Sequence, residues 1–141
     1  VLNSKFHLSS TMAQASHGAT QNDLVAYAAG LFDGEGCVVY KQYKIKKGCW
    51  KWHINLEIAM TEIEPLHWFY NIVKVGTINY KKNYGLGKKP QWRWRCSHRK
   101  ALQVATMLLK YSVLKRKKLL NIVNHYNFKK PKETLREKFK F

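Results

Sequence analysis

The segment Tyr27-Ala-Ala-Gly-Leu-Phe-Asp-Gly-Glu-Gly36 decides how the rest of this sequence is interpreted. It predicts the end of a helix that carries two carboxylates, Asp33 and Glu35, between glycines. Carboxylates at the C-terminal end of a helix oppose its dipole, which is locally unfavourable. Because the chain has only 8 acidic residues, acids placed there indicate a cation that binds them. Small residues share one face of this helix, where a second helix backbone can approach closely: Ala26, Ala29, Gly30 and Gly34.

Composition indicates a soluble domain. The 141 residues, 45% of them hydrophobic, are enough for one domain with its own core. No apolar run approaches the roughly 20 residues that span a bilayer. The cysteines, Cys37, Cys49 and Cys96, are odd in number and form no C-x-x-C pair, which argues against a disulfide framework or a zinc site. We expect reduced thiols in an intracellular, reducing compartment, either the cytoplasm or the interior of an organelle.

Charge gives the strongest bulk indication of a partner. The chain has 26 Lys and Arg against 8 Asp and Glu, a net charge of +18, and residues 65–132 contain 17 basic residues and no acidic one. A polyanionic partner explains a surface this basic. Nucleic acid is favoured over a membrane because no basic amphipathic helix with a broad apolar face stands out. Charge alone leaves ribosomal proteins, RNA chaperones and nucleases open.

Hydrophobic periodicity predicts eight elements in the order α-β-β-α-β-β-α-α. Helices are expected at 22–33, 62–74, 99–111 and 115–126, and strands at 37–46, 50–60, 76–83 and 91–96. Asn22 or Asp23 is expected to cap the first helix, and a Thr61-x-x-Glu64 capping box to open the second. The fold class is therefore α+β, with a curved antiparallel four-stranded sheet backed by helices. We expect a flexible arm over 1–21, the folded domain over 22–127 and a basic tail over 128–141.

The predicted strands alternate between an apolar and a polar face. Trp52, Trp92 and Trp94 fall on the apolar side, where packing in the core is favoured over stacking on nucleic-acid bases. The polar face carries basic, amide and tyrosine side chains: Lys41, Tyr43, His53, Asn55, Asn79, Lys81, Arg93 and Arg95. A merely solvated sheet face would mix charge signs, so this face predicts a surface that reads a nucleic-acid groove.

Residues 28–36 resemble the LAGLIDADG motif of the homing endonucleases. Five positions match the motif: Ala29, Gly30, Leu31, Asp33 and Gly36. The other four replace its Leu, Ile, Ala and second Asp: Ala28, Phe32, Gly34 and Glu35. The resemblance extends over residues 24–126, through the same element order, Trp68-Phe69 in the second helix and the basic start of the last helix at Leu114.

The resemblance implies an intron-encoded enzyme that hydrolyses both strands of a long, partly palindromic duplex DNA site. Because the chain has one copy of the motif, it also implies a homodimer whose two motif helices pack across a two-fold axis. The implied interface consists of Ala26, Ala29, Gly30, Asp33 and Gly34. Asp33 is expected to be mainly structural, capping or pinning the motif turn.

The same resemblance implies catalytic roles. Glu35 would bind a divalent cation, Mg²⁺ by preference, and reach the scissile phosphate, although Glu is longer than the Asp of similar enzymes. Lys115 aligns with a lysine near the cleaved phosphate, where a cation stabilises developing charge. A role in holding the DNA backbone, as expected for Lys117 in the same basic cluster, stays open for Lys115.

The polar strand residues would lie in the major groove of the DNA. Arg93 and Arg95 suit guanine, and Asn55 and Asn79 suit adenine. Two alternatives on the same fold stay open. One is a maturase that binds intron RNA as a splicing cofactor, and the other is a dimeric DNA-binding regulator that does not cut.

Overall fold

A computed structural model describes residues 18–82 and 85–128, and its elements follow the predicted order. The helices are α1 (Gln21–Glu35), α2 (Glu64–Val73), α3 (Arg99–Leu108) and α4 (Arg116–Phe128). The strands are β1 (Gly36–Lys46), β2 (Cys49–Met60), β3 (Thr77–Lys81) and β4 (Gln91–Ser97). Most of the expected arm (1–17) and of the expected tail (129–141) lies outside the described residues. Within 18–82 and 85–128, no helix is long and apolar enough to cross a membrane.

The four strands form one antiparallel sheet in the order β1-β2-β4-β3. Two hairpins, β1–β2 and β3–β4, join where β2 pairs with β4. The predicted α+β class and four-stranded antiparallel sheet are therefore confirmed. Residues that lie directly opposite each other in these pairs share a face of the sheet, so the polar side chains of all four strands lie on one continuous face.

The helices bury the other face of this sheet. Phe32 of α1 lies with its ring centroid 6.3 Å from that of Phe69 of α2, which lies 4.7 Å from Trp94 of β4. Burial of a large side chain stabilises the fold by roughly 1.5–3 kcal/mol. Trp52 and Trp92 are half-buried and pack against the same core. Core packing is thus confirmed for the three tryptophans of the apolar strand face.

Helix α4 packs on the back of the β1–β2 hairpin. The Tyr40 hydroxyl and His125 Nδ1 are hydrogen-bonded at 3.2 Å, and the rings of His125 and Trp52 lie 4.8 Å apart. These contacts fix α4 relative to the sheet. Its basic N-terminal end consequently has a defined position beside the end of α1.

Both predicted helix caps were wrong. Thr20, not Asn22 or Asp23, caps α1: its hydroxyl accepts from the Asp23 backbone N–H at 3.2 Å, and the Asp23 carboxylate accepts from the Thr20 N–H at 2.8 Å. This reciprocal pair is a capping box with Asp at the third position. Thr61 and Glu64 form no such box, because α2 begins only at Glu64, after Ile63, and Pro65 occupies its first turn.

Candidate functional site

Glu35 is exposed at the last position of α1, two residues beyond the predicted end of this helix. Gly34 stays helical, and the extended backbone of Gly36, with φ −77° and ψ 153°, ends the helix. A Cβ at Gly36 would overlap the backbone oxygen and ring of Phe32. The fold therefore requires glycine at the turn, which leaves the Glu35 carboxylate in solvent between the motif helix and the first strand.

Asp33, two residues before Glu35, binds the segment that precedes α4. Its carboxylate accepts hydrogen bonds from four donors: Ser112 Oγ at 2.5 Å, Val113 N at 2.7 Å, Leu114 N at 3.1 Å and Lys115 N at 3.1 Å. Burial alone would raise the pKa of Asp33, but these hydrogen bonds outweigh it and hold the pKa below its usual value. These contacts differ from the expected capping or pinning of the motif turn. Asp33 holds the start of α4 rather than the motif turn, and its carboxylate belongs to contacts within the chain rather than to a subunit interface.

Lys115 is thereby held next to the end of the motif helix. Its carbonyl oxygen accepts from Leu119 N at 3.0 Å, which starts the hydrogen bonding of α4. Three further cations follow in the first turn of α4, all exposed: Arg116, Lys117 and Lys118. Cations oppose the dipole at a helix N-terminus, and the Asp33 carboxylate offsets part of this cost. Because Asp33 is two residues from Glu35 and is bonded to Lys115, one anchor holds both predicted catalytic residues.

The strand register places all eight predicted groove-reading residues on one face of the sheet. Lys41 lies opposite His53, and Tyr43 opposite Lys51, in the β1–β2 pair. Asn79 lies opposite Arg93 in the β3–β4 pair, which also aligns Lys81 with Gln91. Lys41, Tyr43 and Asn79 are exposed, and His53, Lys81, Arg93 and Arg95 are half-buried. The predicted arrangement of these side chains is confirmed in its geometry.

Asn55 is the exception on this face, because its side chain is only 2% exposed. When the amide is oriented so that each neighbouring group is paired with a complementary one, its nitrogen donates to the Ile54 carbonyl at 2.8 Å and to Ser97 Oγ at 2.7 Å. Its oxygen accepts from Arg95 and from His53 Nε2. The prediction that Asn55 contacts an adenine is therefore wrong for this structure. Alternation along β2 correctly assigned the face but not the neighbours that cover the amide.

The exposed side of α1 carries Tyr27, Gly30 and Gly34, flanked by the half-buried Ala26. A Cβ added at Gly30 or Gly34 would meet no heavy atom within 4 Å in the described part of the chain. Ala29 is fully buried in the chain's own core, so its assignment to a subunit interface is corrected. Nothing inside the described chain requires glycine at positions 30 and 34, although each costs a helix about 1 kcal/mol relative to Ala.

The Glu35 carboxylate, at the end of α1, is a suitable ligand for a divalent cation. Within 18–82 and 85–128, no three His, Cys, Asp or Glu side chains are grouped so as to hold a metal. One chain therefore offers Glu35 as a single exposed carboxylate. Mg²⁺ commonly binds through one or two carboxylates, with waters and substrate phosphate oxygens completing its coordination. A site of this kind needs further oxygen ligands from outside the chain.

Three residues of this site were not singled out in the sequence. Ser112 is buried and donates to Asp33 across a separation of 79 residues, and Ser97 anchors Asn55. No local spacing relates either serine to its partner. The polar residue Thr77 was also missed, although it lies opposite Arg95 and strand alternation assigns it to the same face.

Comparisons with known proteins bear on the family and the fold of this chain. The sequence model of the LAGLIDADG endonuclease matches residues 28–131. The fold is similar to that of the homing endonuclease I-CvuI in complex with its target, with a TM-score of 0.61 and 19% identity over 74% of this chain and 66% of that chain. It is also similar to the archaeal intron-encoded homing endonuclease I-Vdi141I complexed with DNA, with a TM-score of 0.59 and 14% identity over 73% of this chain and 66% of that one. The group I intron-encoded homing endonuclease I-CeuI, complexed with DNA, gives a TM-score of 0.57 and 15% identity over 89% of this chain and 69% of that one.

A search of curated proteins found no match. The aligned part of this chain spans just under two thirds of I-CvuI and of I-Vdi141I, at 66% of each. At identities of 14–19% the structural likeness establishes the fold. The sequence match covers the motif, the sheet and all helices after α1, which is more than half of the chain. The chain belongs to the LAGLIDADG endonuclease family.

Proposed function

We propose that this chain is one subunit of a homodimeric, metal-dependent homing endonuclease that cuts both strands of a long, partly palindromic DNA site. The observation that carries the proposal is the anchoring of Glu35 and Lys115 around Asp33, at the end of a basic sheet face. The three relatives described above are homing endonucleases, each in complex with DNA or with its target. An exposed acid and a cation held beside a basic sheet face are the parts that phosphodiester hydrolysis needs.

Glu35 would hold the divalent cation, and Mg²⁺ or Ca²⁺ was present with the relative I-CvuI. The bound cation would supply an activated water and stabilise charge on the phosphate and its leaving oxygen. Lys115 would stabilise the same developing negative charge from the start of α4. The Asp33 carboxylate accepts from the Lys115 backbone N–H, and this bond fixes the point on the backbone from which the cation extends.

The polar sheet face would lie in the major groove, where base edges present a distinct pattern for each base pair. Arg93 and Arg95 offer forked donors suited to guanine, and exposed Asn79 offers the donor and acceptor pair suited to adenine. The exposed Lys117 lies outside the sheet, at the first turn of α4. We assign it to a backbone phosphate rather than to a base.

The exposed glycines of α1 support the dimer. Gly30 and Gly34 lie on the solvent side of the helix, and nothing in the described chain fills the space beside them. A second copy of α1 packed closely across a two-fold axis would explain why glycine occurs at both positions. It would also bring two Glu35 residues to the axis, one for each DNA strand.

Cleavage of a plasmid library by the purified protein tests the proposal. The library would carry randomised duplex inserts, and the reactions would contain Mg²⁺, Mn²⁺ or EDTA. We expect double-strand breaks with either metal at one related set of insert sequences with two-fold symmetry, and none in EDTA. Metal-supplied protein that binds duplex DNA without ever cutting it would contradict the enzyme. That outcome would favour a regulator, and binding confined to structured RNA would favour a maturase.

A further inference from the structure

The polar sheet face contains one buried hydrogen-bond network, formed by His53, Asn55, Arg95 and Ser97. Asn55 lies opposite Ser97 in register, and Arg95 lies opposite Glu57, so Asn55 and Arg95 are diagonal neighbours on the same face. Long side chains reach across a diagonal of this kind. The Asn55 oxygen accepts from Arg95 Nη2 and, at 3.3 Å, from Arg95 Nε.

Every donor and acceptor of the Asn55 amide is used within this network. Its two N–H groups donate to Ser97 Oγ at 2.7 Å and to the Ile54 carbonyl at 2.8 Å, and its oxygen also accepts from His53 Nε2. An amide held in this way has one orientation. Rotating it would place donors against the guanidinium, which has no acceptor. The amide is thus a fixed support for Arg95 and has no group left for a ligand.

The contacts also determine which edge of Arg95 stays free. Nε–H and one Nη2–H lie on the same side of the planar guanidinium, and the Asn55 oxygen occupies that side. The opposite end has three of the five N–H donors, two on Nη1 and one on Nη2. Nη2 also lies 3.4 Å from His53 Nε2, but that nitrogen donates to the Asn55 oxygen and so cannot accept from Arg95. Paired donors at this end match the O6 and N7 acceptors of guanine in the major groove. Because the amide is uncharged, it supports Arg95 without neutralising its positive charge.

We propose that Asn55 is a positioning residue for Arg95, and that Arg95, supported by it, reads one guanine in each half of the target. This inference rests on the proposed function, since it requires duplex DNA on the polar sheet face. It replaces the direct contact between Asn55 and adenine expected from the sequence. Ser97 takes part indirectly, because it holds the amide in the orientation that Arg95 needs.

The test measures base preference rather than affinity alone. The target selected by cleavage would be compared with variants that change each base pair in turn, by fluorescence anisotropy in EDTA so that no DNA is cut. Arg95→Ala should abolish a preference for guanine, about tenfold or more, at one base pair per half-site. Asn55→Ala should remove most of the preference at the same base pair and leave the others unchanged. Asn55→Ala made in an Arg95→Ala chain should cause no further change in base preference.

A second variant guards against loss of folding, because Asn55 is buried. Ser97→Ala leaves Asn55 in place and removes only its anchor, so it should give a smaller loss at the same base pair. Thr106→Ala is the matched control for loss of a hydroxyl: Thr106 lies on α3, where its Oγ1 donates to the Leu102 carbonyl at 2.8 Å, and the variant should not alter base preference. Thermal unfolding by circular dichroism shows which variants are folded at the assay temperature.

The outcomes separate the inference from the function on which it rests. If the parent protein binds no duplex target, the proposed function fails. If Arg95→Ala removes one guanine preference while folded Asn55→Ala and Ser97→Ala keep it, the positioning role is overturned and the proposed function stands. If Asn55→Ala changes preference at a different base pair, or still changes it in the Arg95→Ala chain, Asn55 reads DNA by itself and the inference is wrong.

Discussion

The carboxylate of Asp33, in the motif helix, accepts a hydrogen bond at 3.1 Å from the backbone nitrogen of Lys115, which precedes α4. The same carboxylate accepts hydrogen bonds from the N–H groups of Val113 and Leu114, so it caps the start of α4 from a distant part of the chain. The bond fixes the spacing between the acid end of α1 and the basic end of α4. Loss of Asp33 should therefore affect both the stability of the chain and the position of Lys115.

Asp33→Ala should lower the free energy of unfolding by about 1–2 kcal/mol, in the range found for helix caps. The three backbone donors are partly exposed, so water replaces some of the lost bonds. The DNA cleavage rate should fall roughly 10-fold to 100-fold, because small displacements of a catalytic group are costly. DNA affinity should change much less. Urea unfolding, single-turnover cleavage and DNA binding would be measured on the same preparation.

Asp23→Ala is the matched control for this prediction. Asp23 also serves a helix cap, at the other end of α1, but its partner is Thr20 rather than the segment before α4. The variant should lose some stability and cut DNA at the parental rate below its unfolding transition. Equal loss of cleavage in the Asp23 and Asp33 variants would show that stability alone accounts for both.

The pH dependence of the free energy of unfolding should show the contribution of the ionised Asp33 carboxylate. The pKa of Asp33 is lowered in the folded chain, whereas the pKa of an Asp in an unfolded chain is about 3.9. A lowered folded pKa contributes stability that is fully present above the unfolded value and is lost as pH falls through the folded value. The difference in unfolding free energy between the parent and Asp33→Asn should therefore be constant from pH 7 to about 5 and shrink below about pH 4. Urea unfolding followed by tryptophan fluorescence measures this, and a difference that persists undiminished at pH 3 would exclude the carboxylate as its source.

Local sequence patterns predicted the elements of this fold and the faces of its strands. Alternation in β4 placed Trp94 in the core and Arg93 on the polar face, because the period of two is a property of any strand. The pattern of small residues in α1 correctly predicted that Gly30 and Gly34 lie on an exposed face of the helix, but it wrongly placed Ala29 there. An alanine fits equally well against a partner helix or in its own core, so size alone does not separate the two.

Long-range hydrogen bonds could not be predicted in this way. Asp33 and Ser112 are 79 positions apart, and only the packing of α4 beside α1 brings them together. The burial of Asn55 likewise depends on Ser97 and Arg95, which β4 places beside it. The polar face was therefore predictable as a set of residues, but the division between its exposed side chains and the buried ones that hold their neighbours was not.

Glu35→Gln should abolish cleavage while the protein still binds its target. The substitution is nearly isosteric and removes the charge that a divalent cation requires, and Glu35 is exposed, so folding should be unaffected. Cleavage in Mg²⁺ and binding in EDTA would be measured on the target selected from the library. Lys115→Met should also slow cleavage with little change in affinity. Parental cutting by Glu35→Gln would show that the metal ligand lies elsewhere.

Arg93→Ala and Lys117→Ala should differ in the kind of defect. Arg93 lies half-buried on the polar face opposite Asn79, and its loss should cost about 1–3 kcal/mol and relax preference at particular base pairs. Lys117 is exposed on α4, and its loss should weaken binding to all DNA sequences about equally. The slope of log K against log salt concentration should become shallower by about one. Anisotropy titrations at several salt concentrations, on matched and mismatched targets, measure both effects. Uniform weakening by both variants would contradict base readout from β4.

Gly30→Leu should show whether the exposed side of α1 is a subunit interface or an ordinary solvent-exposed helix face. Within one chain the first atom of the new side chain has room, because a Cβ at Gly30 has no neighbour within 4 Å in the described residues. If this face were solvated, the variant would gain stability of about 1 kcal/mol, since Gly is a poor helix former. If two α1 helices pack here, the leucine forces them apart and should cost about 1–3 kcal/mol or more. The two arrangements thus predict opposite signs for the same substitution.

Sedimentation of the pure Gly30→Leu protein, with and without target DNA, decides between these signs. We expect a shift from dimer to monomer and loss of double-strand cleavage, because two Glu35 carboxylates are no longer held at one axis. Gly30→Ala should give a smaller shift in the same direction, since its side chain is a single methyl group. Gln103→Leu places the same apolar side chain on the exposed side of α3 and should leave the dimer intact, which controls for added hydrophobic surface. A Gly30→Leu protein that sediments as a dimer and cuts both strands would rule out this face of α1 as the subunit interface.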